Sequence, residues 1–221
     1  MTMYFMYIID YKRTPIGKFL GGLASFPTPE LAVPLFSYFL KTYPYLRKKT
    51  DEIIIGNVLS AGVGMNPARI AAYRSGISNS VPAYTVNHVC ASGMNAVIQG
   101  TRAILSGSAH LILSGGMESM SQAPYLLQGM RSGFAFGSRT IVDSVQHDGL
   151  FCRLTNQSMG QTAEILAKEW NIDRKTQDQF ALRSHQLASK AIKDGKFQHE
   201  IAPVFIAPEY NHSVSPVLKN A

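Results

Sequence analysis

The chain has 221 residues, 46% hydrophobic and 16% charged, which excludes an intrinsically disordered protein and indicates a folded one. The net charge of +7 is dispersed, and its densest run, Arg47-Lys48-Lys49, is typical of a solvated helix end, so we expect no nucleic-acid partner. No stretch approaches the ~18 apolar residues that cross a bilayer, and two cysteines do not make a disulfide framework. The composition predicts a cytoplasmic protein with no membrane attachment.

Short apolar runs alternate with helical patterns up to about residue 118. Strands are predicted over residues 4–10, 51–57, 83–89 and 110–114, the first because it is short and lacks the basic start of a signal peptide. Helices are predicted from Thr28, with Pro34 expected to kink the helix or delay its start, then from Asn66 to Gly76, and from Gly93 to Gly107. This alternation predicts an α/β fold with a mixed, mostly parallel sheet.

The pattern changes after residue 118. Gly115-Gly116 is expected to form a strand-ending turn, and residues 119–149 are too long and too irregular for a simple connection, which is typical of a functional loop. Two helices are predicted over residues 159–170 and 174–194, the second capped by Asp173 and ended by Gly195. Residues after 207 show no periodicity. We therefore expect an α/β half-domain over residues 1–118 and an α-rich insertion over residues 119–221.

Cys90 is the main candidate for chemistry. A predicted strand, a turn of small residues and a predicted helix follow each other between Asn87 and Gly93. The Cys90 sulfur would then lie near a helix N-terminus, where backbone N–H groups favour a thiolate and stabilise an oxyanion. A free cysteine at a tight turn is also often just a small buried residue, and local features leave both interpretations open. His88, expected on the same strand face, is a second candidate of undetermined geometry.

Two motifs resemble those of the thiolases. Asn87-x-x-Cys90-x-Ser92-Gly93 is similar to their nucleophile motif, and the run Ser-Gly-Gly-Met-Glu-Ser-Met-Ser from residue 114 is similar to their second signature. Further matches lie at residues 13–17, 62–69 and 159–164. All of them follow the family order between about residues 7 and 203, and this collinearity is more specific than any single motif.

The resemblance implies a thiolase-like layered fold and acyl transfer between acyl groups held on coenzyme A, through an acyl-enzyme on Cys90. Acetyl-CoA or another acyl-CoA would be a substrate, and no metal or separate cofactor is implied. Met159 and Leu150 correspond to substrate contacts of the family. Ser158 stands where many biosynthetic members have histidine, so acyl-chain preference and direction stay open. The complete protein would be a homodimer or homotetramer.

The family's Gly-His-Pro, Asn-Glu-Ala-Phe and Cys-x-Gly motifs do not occur in the sequence, and Cys152, followed by Arg153-Leu154, does not replace the last of them. We therefore expect the N-terminal half of a thiolase, with the C-terminal half absent and the isolated chain unable to run the full reaction. One alternative is another thiolase-fold condensing enzyme, such as a ketoacyl synthase, which the Gly-Gly-Met-Glu-Ser-Met run argues against. Another is a non-catalytic acyl-CoA-binding or interaction fragment, which would not need a thiol at Cys90.

Overall fold

A computed structural model describes residues 5–206. Its centre is a three-stranded parallel sheet in the order β2-β1-β3. The strands are β1 (Glu52–Gly56), β2 (Ala83–Val86) and β3 (Ile112–Gly116). In the register of the sheet, Ile53 of β1 lies opposite Ala83 on one side and Leu113 on the other. The α/β class with a parallel sheet is confirmed.

Helices cover the sheet because side chains alternate along β1. Ile53 and Ile55 pack into a core with apolar side chains of α1 (Thr28–Thr42), the short α2 (Leu46–Lys49) and α3 (Pro67–Arg74). Ile54, which is also fully buried, points to the opposite face, where α4 (Ser92–Leu105) packs on β1 and β3. The basic run predicted at a helix end forms the last turn of α2.

A proline precedes the first residue of α1, and an asparagine precedes that of α3. Helix α1 has Pro27 as its N-cap and continues through Pro34 to Thr42, so a later start is wrong. In α3, the Asn66 side chain accepts a hydrogen bond from the Arg69 N–H at 3.2 Å, and Pro67 occupies the first position. Gly76 ends this helix region with a φ of +77°, as predicted.

The strand predicted at the N-terminus is wrong for its described part. Residues 5–10 form no strand, and Tyr7, Ile8 and Ile9 are exposed. Residues 6–12 and β3 both line a cavity of about 330 Å³, and no described strand pairs with the segment. An apolar run becomes a strand only where a partner supplies a hydrogen-bond ladder, so the sheet has three described strands rather than four.

The strand predicted over residues 110–114 lies two residues later. The Asp51 carboxylate accepts hydrogen bonds from the N–H groups of His110 (2.7 Å) and Leu111 (3.0 Å), so a side chain satisfies these groups at the strand entrance. At the other end, Gly115 and Gly116 belong to β3 and pair with the last residues of β1. The predicted strand-ending turn at the two glycines is therefore wrong.

Beyond β3 the chain forms small elements that the sequence did not indicate. A ladder joins β4 (Tyr125–Leu126) to β5 (Val142–Asp143), and a second joins β6 (Phe151–Cys152) to β7 (Gln157–Ser158). Short 3₁₀ turns lie at Met120–Gln122 and Met130–Ser132, and a π-helical turn spans Val145–Leu150. Strands of two residues are too short for a period to show in the sequence.

Two longer helices complete the described chain. Helices α5 (Met159–Glu169) and α6 (Arg174–Lys193) lie where they were predicted, and Asp173 caps α6 by accepting the Thr176 N–H at 2.7 Å. Gly195 follows α6 with a φ of +66°. No helix within residues 5–206 is long and apolar enough to cross a membrane. The aperiodic tail after residue 207 lies outside the described residues, and the boundary at 118/119 stays a prediction.

The N-terminal segment and the segment after α6 meet at Arg13. Its backbone exchanges hydrogen bonds with the Glu200 carbonyl and the Ala202 N–H, both at 2.8 Å. Its guanidinium forms an ion pair with the Glu200 carboxylate at 2.7 Å and lies over the Phe197 ring. The segment after α6 is thereby fixed beside the N-terminal segment.

Candidate active site

Cys90 lies in a tight turn that joins β2 to α4, and it is exposed. The predicted strand before it is shorter than expected, because β2 ends at Val86. The Asn87 side-chain oxygen accepts the Val89 N–H at 2.9 Å, which turns the backbone away from the sheet. Val89 takes a φ of +50°, an uncommon conformation for a β-branched residue. The turn, residues 87–91, is called the elbow below.

Ser92 fixes the far side of the elbow. Its hydroxyl accepts a hydrogen bond from the His88 N–H at 2.9 Å and donates one to the Val89 carbonyl at 2.5 Å. Helix α4 begins at Ser92 and has no side-chain N-cap. The Cys90 side chain is therefore held two residues before a helix N-terminus, as the motif predicted, and side chains on both sides of the elbow fix its backbone.

Three glycines let the elbow approach the sheet. A Cβ atom on Gly56, the last residue of β1, would come within 2.6 Å of the Gly93 nitrogen. A Cβ atom on Gly116, the last residue of β3, would lie 3.1 Å from the Gly93 Cα. The first turn of α4 thus packs on two strand ends, with no room for a Cβ atom at Gly56 and a tight fit for one at Gly116, and this brings Cys90 to the carboxyl edge of the sheet.

Cys90 lines a cleft of about 420 Å³ at this edge. In open α/β sheets, ligands bind at the carboxyl ends of the parallel strands. The lining comes from the segments that follow β1 and β3, from the elbow and the start of α4, and from the π-helical turn. These residues include Asn57, Val58, Leu59, Val89, Cys90, Met117, Glu118, Met120, Val145 and Leu150. The cleft places an exposed thiol inside a concave, largely apolar site.

Glu118 is the acidic residue of the cleft, and it is half-buried. One carboxylate oxygen accepts the side-chain N–H of Asn57 at 2.8 Å, and the other accepts the Val58 N–H at 2.9 Å. The Leu59 N–H lies 3.3 Å from both oxygens. Asn57 is buried, and its side-chain oxygen has no partner among the described protein atoms. The carboxylate thus holds the loop after β1 in place.

The structure brings together two of the four predicted site residues. Cys90 and Leu150 line the same cleft, whereas Ser158 and Met159 do not line it. Ser158 instead caps α5: its hydroxyl accepts the Gln161 N–H at 3.3 Å, and the Gln161 side chain accepts the Ser158 N–H at 2.8 Å. Met159 is the first residue of α5 and is 40% exposed.

Other chemically active side chains lie apart from the cleft. His88 is exposed, is not a lining residue and lies beyond the end of β2, so the expectation that it shares a strand face with Cys90 is wrong. Cys152 lies in β6, where hydrogen bonds from the Thr155 side chain and from the Thr155 and Leu154 N–H groups lower the pKa of its thiol. Within residues 5–206, no group of three or more His, Cys, Asp and Glu side chains is arranged to hold a metal ion.

Sequence reasoning missed Asn57 and Glu118 as site residues. Both follow strand ends at the carboxyl edge of the sheet, a position typical of ligand-binding residues. Glu118 also belongs to the second signature and lies two residues after the end of β3. Its position after a strand could have identified Glu118 as a site residue, since a carboxylate at a sheet edge needs hydrogen-bond donors.

Comparisons with known proteins agree on one family. The model of the thiolase N-terminal domain matches residues 6–216. An acetyl-CoA acetyltransferase of Saccharomyces cerevisiae is 45% identical over 203 residues, which cover 91% of this chain and 51% of the relative. An acetyl-CoA acetyltransferase of Cupriavidus necator is 44% identical over 199 residues, which cover 90% and 51%.

A solved structure gives the same result. The crystal structure of the Bacillus anthracis acetyl-CoA acetyltransferase matches with a TM-score of 0.89 at 36% sequence identity. The match covers 93% of this chain and 52% of the other. The chain thus spans about half the length of the relatives it matches.

Proposed function

The chain belongs to the thiolase family, and we propose that it supplies the acyl-accepting nucleophile, Cys90, of an acyltransferase acting on coenzyme A thioesters. The relatives are named acetyl-CoA acetyltransferases, which supports an acyl-CoA as the substrate class. No separate cofactor takes part in the proposed reaction, because the coenzyme A thioester is itself the substrate.

The observation that carries the proposal is the position of Cys90. Its side chain is exposed, lines a cleft at the carboxyl edge of a parallel sheet and lies two residues before the start of α4. Helix N-termini favour negative charge, both on a cysteine sulfur and on an oxyanion. A merely structural cysteine at a tight turn would be expected to be buried.

The proposed step is an acyl exchange between two sulfur atoms. The Cys90 sulfur attacks the thioester carbonyl carbon, and a tetrahedral oxyanion forms near the first turn of α4. The carbon–sulfur bond to coenzyme A then breaks, the acyl group remains on Cys90, and the thiol proton passes to the departing coenzyme A sulfur. No oxidation or reduction occurs. The acyl-enzyme would pass its acyl group to a second substrate in a later step.

Leu150 is the proposed acyl contact, because it is the predicted substrate residue that lines the same cleft as Cys90. Ser158 and Met159 stay proposed contacts for a more distant part of the substrate. The carbon–carbon bond chemistry, and a homodimeric or homotetrameric assembly, are proposed for a protein of the relatives' full length. The histidine and second cysteine motifs of the family do not occur in this sequence.

The test is mass spectrometry of the purified chain with and without acetyl-CoA. We expect a single acetyl adduct, mapped by peptide analysis to Cys90 and absent from the Cys90→Ala variant. Cys152→Ala is the matched control, because it removes the other thiol, whose pKa is lowered, without touching the cleft. An adduct that persists in Cys90→Ala would contradict the proposal, as would a folded protein that forms none. The latter result would favour a non-catalytic acyl-CoA-binding fragment.

A further inference from the structure

We propose that Glu118 is a positioning residue that holds the Cys90 elbow in its reactive shape through the loop after β1. This inference rests on the proposed role of Cys90 as nucleophile. The Glu118 carboxylate makes no described hydrogen bond to the elbow, and the acyl exchange itself does not use it.

Glu118 binds the loop that follows β1. Its two oxygens accept hydrogen bonds from the Asn57 side chain and from the Val58 and Leu59 N–H groups. Hydrogen bonds to an ionised carboxylate are shorter and stronger than neutral ones. The loop directly follows Gly56, on which α4 packs, so the carboxylate fixes the floor of the cleft.

Two hydrogen bonds connect this loop to the elbow and to the residue before it; each is called a route below. The Val58 carbonyl accepts the side-chain N–H of Asn87 at 3.4 Å. The Asn57 backbone N–H donates to the carbonyl of Val86, the residue before Asn87, at 3.0 Å. Both routes end at the base of the elbow, and the Asn87–Val89 hydrogen bond carries the constraint to the residue before Cys90.

The elbow needs such support because Val89 has a positive φ. A β-branched residue in this region is strained and stays there only when its surroundings hold it. If the loop relaxes, Val89 returns to a negative φ and Cys90 no longer points as it does. The carboxylate is suited to the task, since it accepts from three N–H donors at once, which an amide oxygen and NH₂ group cannot do.

The decisive variant is Glu118→Gln, which keeps the shape of the side chain but places an NH₂ group against an N–H donor. Glu52→Gln is the matched control, because it removes the same charge at the opposite end of β1. We expect the rate of Cys90 acetylation at saturating acetyl-CoA to fall about tenfold or more in Glu118→Gln, the effect of losing a hydrogen bond to a charged group. The half-saturating acetyl-CoA concentration should change less than about twofold, because binding contacts are kept.

A second readout needs no acyl-CoA. Iodoacetamide alkylates both thiols, and site-resolved mass spectrometry gives the Cys90 rate relative to Cys152 within each molecule. We expect this ratio to fall in Glu118→Gln and to stay unchanged in Glu52→Gln. A variant that unfolds would expose both cysteines alike. In that event Glu118→Asp, which keeps the charge but shortens its reach, is tested by the same ratio.

Coupling to Asn87 tests the route. In the Asn87→Ala background, Glu118→Gln should lower the acetylation rate less than about threefold, because the elbow has already lost the Asn87–Val89 hydrogen bond through which both routes act. A full tenfold loss in both backgrounds would overturn the inference, as would equal rates for Glu118→Gln and Glu52→Gln. If the wild-type chain is not acetylated but its alkylation ratio depends on Glu118, the positioning role stands and the proposed function fails. If the ratio does not depend on Glu118, the positioning role fails.

Discussion

Gly56 at the end of β1 lies directly against Gly93 in the first turn of α4, at a distance that leaves no room for a Cβ atom. The elbow therefore packs on the sheet by backbone contact, and the position of Cys90 depends on a strand residue that lies 34 positions earlier in the chain. Position 56 requires glycine because of this contact. Its backbone conformation does not require glycine, since the φ of Gly56 is not positive.

Gly56→Ala should lower the free energy of unfolding by about 3 kcal/mol, because the added methyl group meets backbone atoms that cannot move aside separately. Gly115→Ala, one position before the strand end of β3, is the matched control, since nothing lies within 4 Å of its Cβ position. The control should be neutral or stabilising by up to about 1 kcal/mol. Urea unfolding followed by circular dichroism measures both, and equal effects of the two substitutions would contradict the contact.

Val89→Gly should leave the free energy of unfolding within about 1 kcal/mol of the wild type. Relief of the strained φ offsets the backbone entropy that glycine adds, and the Val89 side chain is half exposed. The Cys90 acetylation rate should still fall, because a freer elbow holds the thiol less firmly. Val86→Gly within β2 is the control and should destabilise by about 2 kcal/mol. A large stability loss in Val89→Gly would show that its side chain, and not its backbone, matters.

The helices and two of the three sheet strands were predictable from sequence because their signals are local. Asn66-Pro67 at the start of α3 and Asp173 before α6 act through neighbours three residues away. The triple isoleucine of β1 is apolar on both faces, as a central parallel strand must be. The local motif at Cys90 predicted its place between a strand end and a helix start, which the structure has, whereas its role as nucleophile came from the resemblance and stays a prediction.

What the sequence did not indicate depends on distant partners. Residues 5–10 are as apolar as β1, yet no described strand pairs with them, and this information is absent from their own pattern. The start of β3 is shifted because the side chain of Asp51, about 60 residues earlier, accepts the N–H groups of His110 and Leu111 just before the strand. Glu118 escaped notice because its donors lie in another loop. Local periodicity reports burial, whereas pairing and side-chain capping are properties of the assembled fold.

Asp51→Asn should destabilise the protein at pH 7 but not in strong acid. Hydrogen bonds from the His110 and Leu111 N–H groups lower the pKa of the Asp51 carboxyl in the folded state. A lowered folded pKa means that this stabilisation is fully present above the unfolded value of about 4 and is lost as pH falls through the folded value. Urea unfolding of both proteins at several pH values tests this. A stability difference that stays constant from pH 7 to pH 2 would exclude the charge as its source.

Ser158→Ala separates two roles for a residue that the resemblance relates to substrate and the structure relates to α5. Loss of the N-cap hydrogen bond should lower the free energy of unfolding by about 1 kcal/mol. Ser158→Asp keeps an acceptor for the Gln161 N–H and should restore the stability. Gln161→Ala removes the return bond of the capping box while leaving Ser158 in place, so it controls for the helix alone.

The acetyl-CoA dependence of Cys90 acetylation decides between the roles. If Ser158 acts only as a cap, Ser158→Asp should have the wild-type half-saturating concentration, and Ser158→Ala and Gln161→Ala should behave alike. If Ser158 contacts the substrate, both Ser158 variants should raise that concentration, whereas Gln161→Ala should not. Aspartate would then be the worse of the two, because its negative charge would lie near the phosphate-bearing coenzyme A and would repel it.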